Sequence, residues 1–520
     1  MPLLPCRPAR VENIVSDNRL RPMKNQAQLI AYVDRLSGGT FRDLQRLLDG
    51  PLTGAFGGVH VLPFFHPIDG ADAGFDPVDH TLVDPRLGTW EDVAALAERV
   101  DVMADVIVNH MSRHSPQFAD WDRRGDDSPY AGMFLTYSRV FPRGASQADL
   151  VALSTPRPTL PFTSHTNARG EPVLLWTTFT SDQIDIDVRD PAGRRYLTDV
   201  LTRLHAAKVR AIRLDAIGYA IKQAGTSCFM LPETRAFIDD ITAQAHALGM
   251  DVLVEVHGHY QAQLDVARHV DWVYDFALPA LVLHALCTCD ARPLRRWIEV
   301  RPDNAITVLD THDGIGVADV GADRNGRAPG LLPQDAIDAL IEMIHVRSRD
   351  ESRLASGSAA RNVDASQINC TFYDALGRRD TEHLVARAIQ CFLPGIPQIY
   401  YVGLLAGTND LDLLRRTGAG RDINRHYYTS AELQGALAQP VVQSLLSLLR
   451  IRNTHAAFQG EFRVQADDAT RLALAWEHGA ASARLDVDLA KMQAVVMCSA
   501  DRAGTTGLAW CSTPAANGRQ

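Results

Sequence analysis

Three carboxylates in this 520-residue chain stand at or near the ends of short apolar runs: Asp215 closes VRAIRLD, Glu255 lies in DVLVEVH, and Asp313 ends AITVLDTHD. Arg213 and Asp215 are two residues apart, so on an extended strand their side chains face the same way. A guanidinium beside a carboxylate keeps it ionised and aimed, which a nucleophile requires. Glu255 lies on an apolar strand without evident cationic company. Burial there raises a carboxyl's pKa and suits a group that gives and takes a proton. Asp313 can grip sugar hydroxyls and stabilise positive charge, and His110 and His312 add donors at the same rim. Converging carboxylates without cysteine or clustered histidine ligands suit glycosyl transfer better than metal chemistry, so neither a metal nor a cofactor is expected. Cleaving an acetal through an oxocarbenium-like state takes an anionic nucleophile on one face and a protonated acid at the leaving oxygen, roughly 5–5.5 Å apart in a retaining enzyme. Any one of these residues alone reads as a capping or ion-pair carboxylate. Three of them at strand ends have the placement of a barrel site.

Eight apolar runs can position them: QLIAYVD (28–34), GVHVLPFF (58–65), VMADVIVNH (102–110), VRAIRLD (209–215), DVLVEVH (251–257), WVYDFAL (272–278), AITVLDTHD (305–313) and QIYYVG (398–403). Helical stretches such as TWEDVAALAERV and GRRYLTDVLTRLHAA separate several of them. Near-continuous apolar strands alternating with helices indicate a parallel sheet covered on both faces, and eight of them predict an α/β fold closed as a (β/α)8 barrel. The predicted organisation is an N-terminal extension over 1–22, a barrel built from 23–107, 190–314 and 378–457, and an inserted domain over 108–189 after the third strand. A helical insertion over 315–377 follows the seventh strand, and a C-terminal antiparallel β domain occupies 458–520, from runs such as FRVQADD, RLALAWEHG, SARLDVDLA and MQAVVMCSA. Both insertions leave from strand carboxyl ends, so both can shape the pocket.

The formal charge of −10, from 52 basic and 62 acidic residues, argues against a nucleic-acid or anionic-membrane partner. The eight cysteines form no C-x-x-C pair and read as reduced, structural thiols. No apolar run approaches the roughly 18–20 residues that span a bilayer, and MPLLPCRPAR lacks the apolar core of a signal peptide, so a cytoplasmic location is expected.

The segments Asp105–His110, Arg213–Asp215, Glu255 and His312-Asp313, taken in this order, resemble the α-amylase clan of retaining α-glycosidases and transglucosylases. Further stretches, including ADAGFDPVDHTLVDPRLGTW, AIGYAIKQAGTSCFM, PGIPQIYYVGLLAG and GRDINRHYYT, look like the sucrose phosphorylases within it, from about Met23 to Phe458. The resemblance implies Asp215 as the residue that forms the glucosyl ester, Glu255 as acid/base and Asp313 as transition-state stabiliser. It implies an Asp72–Arg421 pair at the base of the glucose subsite, His110, Arg213 and His312 on the glucose hydroxyls, and Phe75 and Phe179 against the sugar. On the acceptor side it points to Pro156, Arg157, Tyr219, His257, Asp364 and Gln367, with Arg157 suited to phosphate by its bidentate fork. It also implies sucrose and inorganic phosphate as substrates, and a homodimer. Ser154, Ala365 and Ser366 depart from that pattern: two aromatic groups that line the acceptor mouth in the best-known members are absent. Related phosphorylases of glucosylglycerol, glucosylglycerate or sucrose 6'-phosphate are therefore the alternatives, followed by a hydrolysing α-glucosidase and, last, a non-catalytic carbohydrate binder.

Overall fold

The computed structural model describes residues 22–513 except 37, 71, 158, 324–325, 357–366, 466–467 and 500–506. All eight apolar runs become strands of one closed barrel: β1 Gln28–Ala31, β2 Gly58–Val61, β3 Asp101–Ile107, β4 Ala211–Asp215, β5 Asp251–Val254, β6 Trp272–Asp275, β7 Ala305–Thr307 and β8 Ile396–Tyr400. Each pairs in parallel with its neighbours in chain order, and β1 closes against β8 with Gln28 opposite Gln398. All but β4 stop three or more residues short of the end of the predicted run. The carboxyl-terminal part of a run such as AITVLDTHD is loop, and Asp313 stands six residues beyond β7. β8 also begins two residues earlier than predicted, at Ile396.

Helix boundaries follow local chemistry. Thr89 and Asp92 form a reciprocal capping box at the start of the helix Trp90–Ala97. Asp190 caps Pro191–Ala206, with Pro191 in the first turn where its missing N–H is not needed.

The barrel interior is less apolar than its sequence suggests. His60 Nε2 lies 3.1 Å from Asp105, Tyr274 Oη lies 3.3 Å from His60 Nδ1 and donates to Gln398 at 3.2 Å, and Gln398 donates to Gln28 at 2.8 Å. These groups come from β1, β2, β3, β6 and β8, so one hydrogen-bonded chain ties most of the barrel together from inside. Buried polar groups of this kind are tolerated because their partners are present.

Two insertions rise over the carboxyl ends. Between β3 and the helix Pro191–Ala206 lie the helix Pro116–Arg124, the hairpin Phe162–Thr166 with Pro172–Trp176, and the strand His110–Ser112 paired antiparallel with Gln183–Asp185. Leu135, Val140, Phe141, Leu153 and Trp176 give this insertion a small core of its own. After β7 come the two-stranded ladder Ile315–Gly316 with Gln367–Ile368 and the helices Gln334–Arg347 and Glu351–Ser356. Among the described residues the C-terminal sheet has five antiparallel strands; the fifth, Gly507–Cys511, is not among the predicted runs. Trp476 fastens the sheet to the barrel by donating to the Phe392 carbonyl at 2.7 Å. Among the described residues no helix is long and apolar enough to cross a membrane.

β8 approaches β7 so closely that a side chain at Gly395 has no room. A Cβ there would lie 1.9 Å from the Ala305 carbonyl oxygen, and the residue's φ of +100° disfavours L side chains. Gly395→Ala is expected to destabilise the fold by more than about 3 kcal/mol, read as a lowered melting midpoint or loss of soluble protein.

Candidate active site

β4 and β5 place Arg213 opposite Leu253, so Asp215 and Glu255, each two residues on, leave the barrel side by side. On the other side Arg213 is level with Asp105 of β3. The guanidinium is 1% exposed and serves three carboxylates: it bonds Asp105, lies 3.0 Å from Asp215 and reaches Glu255 at 2.5 Å. Directly after Asp215, Ala216 takes a left-handed conformation (φ 54°), which turns the chain sharply off the strand and leaves the carboxylate at the barrel mouth.

Asp313 and Asp72 form a second charged layer. Arg421 pairs with Asp313 at 2.9 Å, and His312 Nε2 is 3.4 Å from the same oxygen. A second arginine joins Arg421 beneath Asp72: Arg425 lies 3.5 Å from Asp72 and 3.8 Å from Asp313 and donates to the His312 carbonyl at 2.9 Å, while Arg421 also lowers the Asp72 pKa. Arg425 is the residue that sequence reasoning missed. GRDINRH carries two arginines four apart, and its first residues form the 3-10 stretch Gly420–Asn424, so both can turn toward one site. The sequence offered the two arginines without saying that both act on Asp72.

A cleft opens above these layers. Its walls include the three carboxylates with Asp72, Phe75, His110, Phe179, His312 and Arg421, and, on the outer side, Pro156, Tyr219, His257 and Gln367. Phe75 stacks on His312 with ring centroids 4.6 Å apart, and His110 donates to the Phe75 carbonyl at 2.9 Å. Phe179 packs edge-on against Tyr219 at 5.6 Å. Gln183 and Phe229, not singled out from the sequence, also line the cleft. Arg157 is buried close enough to Asp72 to lower its pKa, while Asp364, Ala365 and Ser366 lie outside the described residues.

The electrostatics correct one expectation. Glu255 has a cation after all: burial raises its pKa, but Arg213 and His257 outweigh that and bring it down to about 2. Asp215 is pushed well above the carboxylate range by burial, with Glu255, Asp105 and Asp313 adding to it against Arg213. The sequence showed Arg213 next to Asp215 but not that its second nitrogen crosses to the neighbouring strand. Two carboxylates sharing one guanidinium, with Asp105 already ionised on it, titrate as a pair that resists losing its last proton. Asp72 and Asp313 are both held below the ordinary range; burial raises them, and the arginines beneath prevail, Arg425 chiefly for Asp72 and Arg421 for Asp313.

Glu255, His257 and Asp313 lie close enough to converge on one ion. The negative charge of the two carboxylates is already met by Arg213 and Arg421. The arrangement is instead a paired-carboxylate site for glycosyl chemistry, on a barrel of the α-amylase class.

The comparisons agree. A family model for the α-amylase catalytic domain matches residues 55–269. A sucrose phosphorylase of Agrobacterium vitis is 57% identical over 92% of this chain and 98% of its own length. One of Bifidobacterium adolescentis is 50% identical over 89% of this chain and 92% of its own. Among solved structures, sucrose 6F-phosphate phosphorylase from Thermoanaerobacter thermosaccharolyticum superposes with a TM-score of 0.85 at 36% identity, covering 94% of this chain and 99% of that one. The chain belongs to the sucrose phosphorylase family.

Removing Arg425 tests the lower charged layer. In the wild type the depressed pKa values of Asp72 and Asp313 contribute stability that is fully present above their unfolded value near 3.8 and is lost as pH falls through the lowered values. Arg425→Met should therefore be less stable by about 3–5 kcal/mol near neutral pH, with the gap closing as the pH falls below about 3.8. Melting curves across pH read it.

Proposed function

We propose that this chain is a sucrose phosphorylase, converting sucrose and inorganic phosphate into α-D-glucose 1-phosphate and fructose with retention at the anomeric carbon. The observation that carries this reading is the Asp215–Glu255 pair, level on adjacent strands and bridged by one buried guanidinium. It is supported by 57% and 50% identity to sucrose phosphorylases over nearly the whole chain.

In this reading Asp215 attacks the anomeric carbon of the glucosyl unit while Glu255 gives its proton to the departing fructosyl oxygen. The product of that half-reaction is a glucosyl ester on Asp215. Hydrogen phosphate then gives its proton to Glu255, its oxygen bonds the anomeric carbon from the face that fructose left, and Asp215 departs as a carboxylate. The two inversions restore the original configuration.

The first step needs the pair's shared proton on Glu255 and Asp215 ionised. Arg213 supplies the means of exchange, since its Nη1 already lies 3.0 Å from Asp215. When the glycosidic oxygen occupies the space beside Glu255, desolvation favours the neutral acid there and the guanidinium's weight moves to Asp215. Asp72 with Arg425 beneath it, His110 and His312 bind the glucosyl hydroxyls, and Phe75 and Phe179 shield the sugar's apolar faces. Asp313, pinned by Arg421, faces the oxocarbenium-like charge.

A second reading rests on Ser154. It is buried in the segment that carries Pro156 and Arg157, where the best-known sucrose phosphorylases have a tyrosine. A serine in place of that aromatic ring on the loop behind Pro156 favours a different leaving group, such as the phosphorylated fructose of the 6F-phosphate enzyme or a short polyol.

Incubation with sucrose, with and without phosphate, separates the readings. Phosphate-dependent glucose 1-phosphate with little free glucose is expected; free glucose regardless of phosphate would overturn the assignment in favour of hydrolysis. Asp215→Asn should lower glucose 1-phosphate formation at least about 10⁴-fold, because no ester can form.

A further inference from the structure

Asp319 lies behind the acceptor side of the cleft, in the 3-10 turn Ala318–Val320 that follows the short strand Ile315–Gly316, and it is 1% exposed. One oxygen is committed to the fold: it accepts from the Gly258 backbone at 3.0 Å and from Gln263 at 3.2 Å. The other lies 3.7 Å from His257 Nδ1. The site is built for this carboxylate, since a Cβ on Gly316 would come within 2.4 Å of that second oxygen.

His257 is clamped from both sides. Its Nε2 is 3.5 Å from Glu255 and its ring stacks on Phe276 with centroids 4.0 Å apart, so it cannot turn away. Gln367 reaches the same Nε2 at 3.4 Å. Among the described residues, the acidic groups facing the ring are Glu255 on its own segment, Asp319 from the turn after the seventh strand's ladder, and Asp313 across the cleft, and the Arg213 guanidinium reaches the same Glu255 oxygen from the barrel. An imidazole between two buried carboxylates is held as the cation. Burial pulls the other way, but Asp319 and Glu255 outweigh it and raise the His257 pKa well above the ordinary histidine value.

This charge answers a difficulty in the proposed reaction, on whose phosphate reading the inference rests. Once Glu255 has given up its proton it is a carboxylate, and the acceptor that must approach it is itself an anion. A neutral acceptor meets no such repulsion. We propose that Asp319 is a positioning residue for phosphate selectivity: through His257 it keeps an imidazolium at the edge of Glu255, so that phosphate is received there in preference to a neutral acceptor.

The test compares transfer from sucrose to inorganic phosphate with transfer to glycerol, as the ratio of the two kcat/KM values across pH. In the wild type that ratio should hold well above pH 7, since a raised pKa keeps the imidazolium until the pH climbs through it. In Asp319→Asn, which retains an oxygen for Gly258 and Gln263, the ratio near pH 7.5 should fall about tenfold. Its midpoint should move toward acid by roughly one pH unit or more, and Asp319→Glu should restore most of it. A merely structural role for Asp319 would lower both transfers and the melting midpoint together and leave the ratio where it was; that result would overturn the proposal. Should Asp319→Asn not fold, the wild-type profile decides: a ratio that collapses near the ordinary histidine pKa of about 6.5 refutes it, and a plateau beyond that supports it. A wild type that makes no glucose 1-phosphate would overturn both this inference and the function on which it rests, whereas glucose 1-phosphate formation with an unmoved ratio in the variant would overturn the inference alone.

Discussion

The buried guanidinium of Arg213 is the interaction on which the rest of the site depends. It holds Asp105, Asp215 and Glu255 at once, from three adjacent strands, in a place water scarcely reaches. Three carboxylates share this guanidinium, and burial together with the neighbouring carboxylates pushes Asp215 well above the usual carboxylate range. That frustration is useful. A retaining mechanism needs two carboxyls that exchange roles, one ionised while the other is not, and a shared cation lets a small rearrangement decide which. Two separately satisfied ion pairs would be better settled and less reactive.

The polar barrel interior serves the same end. Asp105 is held from below by His60, which is held by Tyr274, which is held through Gln398 to Gln28 at the foot of the barrel. An apolar filling would stabilise the barrel at least as well, because exchanging buried polar contacts for well-packed hydrocarbon is often neutral or favourable. What a hydrocarbon core cannot do is fix the rotation of Asp105, and hence the height at which the Arg213 fork meets the two carboxylates above it.

Much of this was legible in the sequence for a definite reason. Barrel strands buried on both faces leave continuous apolar runs, and a charged residue at the end of such a run is conspicuous; Asp215, Glu255 and Asp313 were visible in that way. What stayed hidden was contact across strands. Arg213 is adjacent to Asp215 in sequence, but its nearest carboxylate oxygens belong to Asp105 and Glu255, more than a hundred and some forty residues away. That Arg425 joins Arg421 beneath Asp72 depended on how a 3-10 turn enters the site, which spacing alone does not give. Strand ends were over-extended for a related reason: apolar residues such as Val308 and Leu309 continue past the strand because the loop is buried, not because it is strand. The fifth C-terminal strand is short and its first three residues are exposed, so it carried little alternation to read.

The two halves of the cleft are built differently, and this bears on how such a core can take more than one acceptor. The donor half rests on barrel strands and the turns directly after them, locked by ion pairs below and by Phe75 stacked on His312. The outer half is lined by Pro156 on one insertion, Gln367 on the other, and Tyr219 and His257 on loops beyond β4 and β5. Precision is easier to maintain on strands than on loops, and chemistry at the anomeric carbon demands it. Recognition of a leaving group or an incoming anion demands charge and shape at a few points, which loops can change without disturbing the carboxylate pair. The substitution of Ser154 within one of those loops, over an intact donor half, is what that division of labour permits: the residues that break the glycosidic bond stay fixed while those that choose its partner vary.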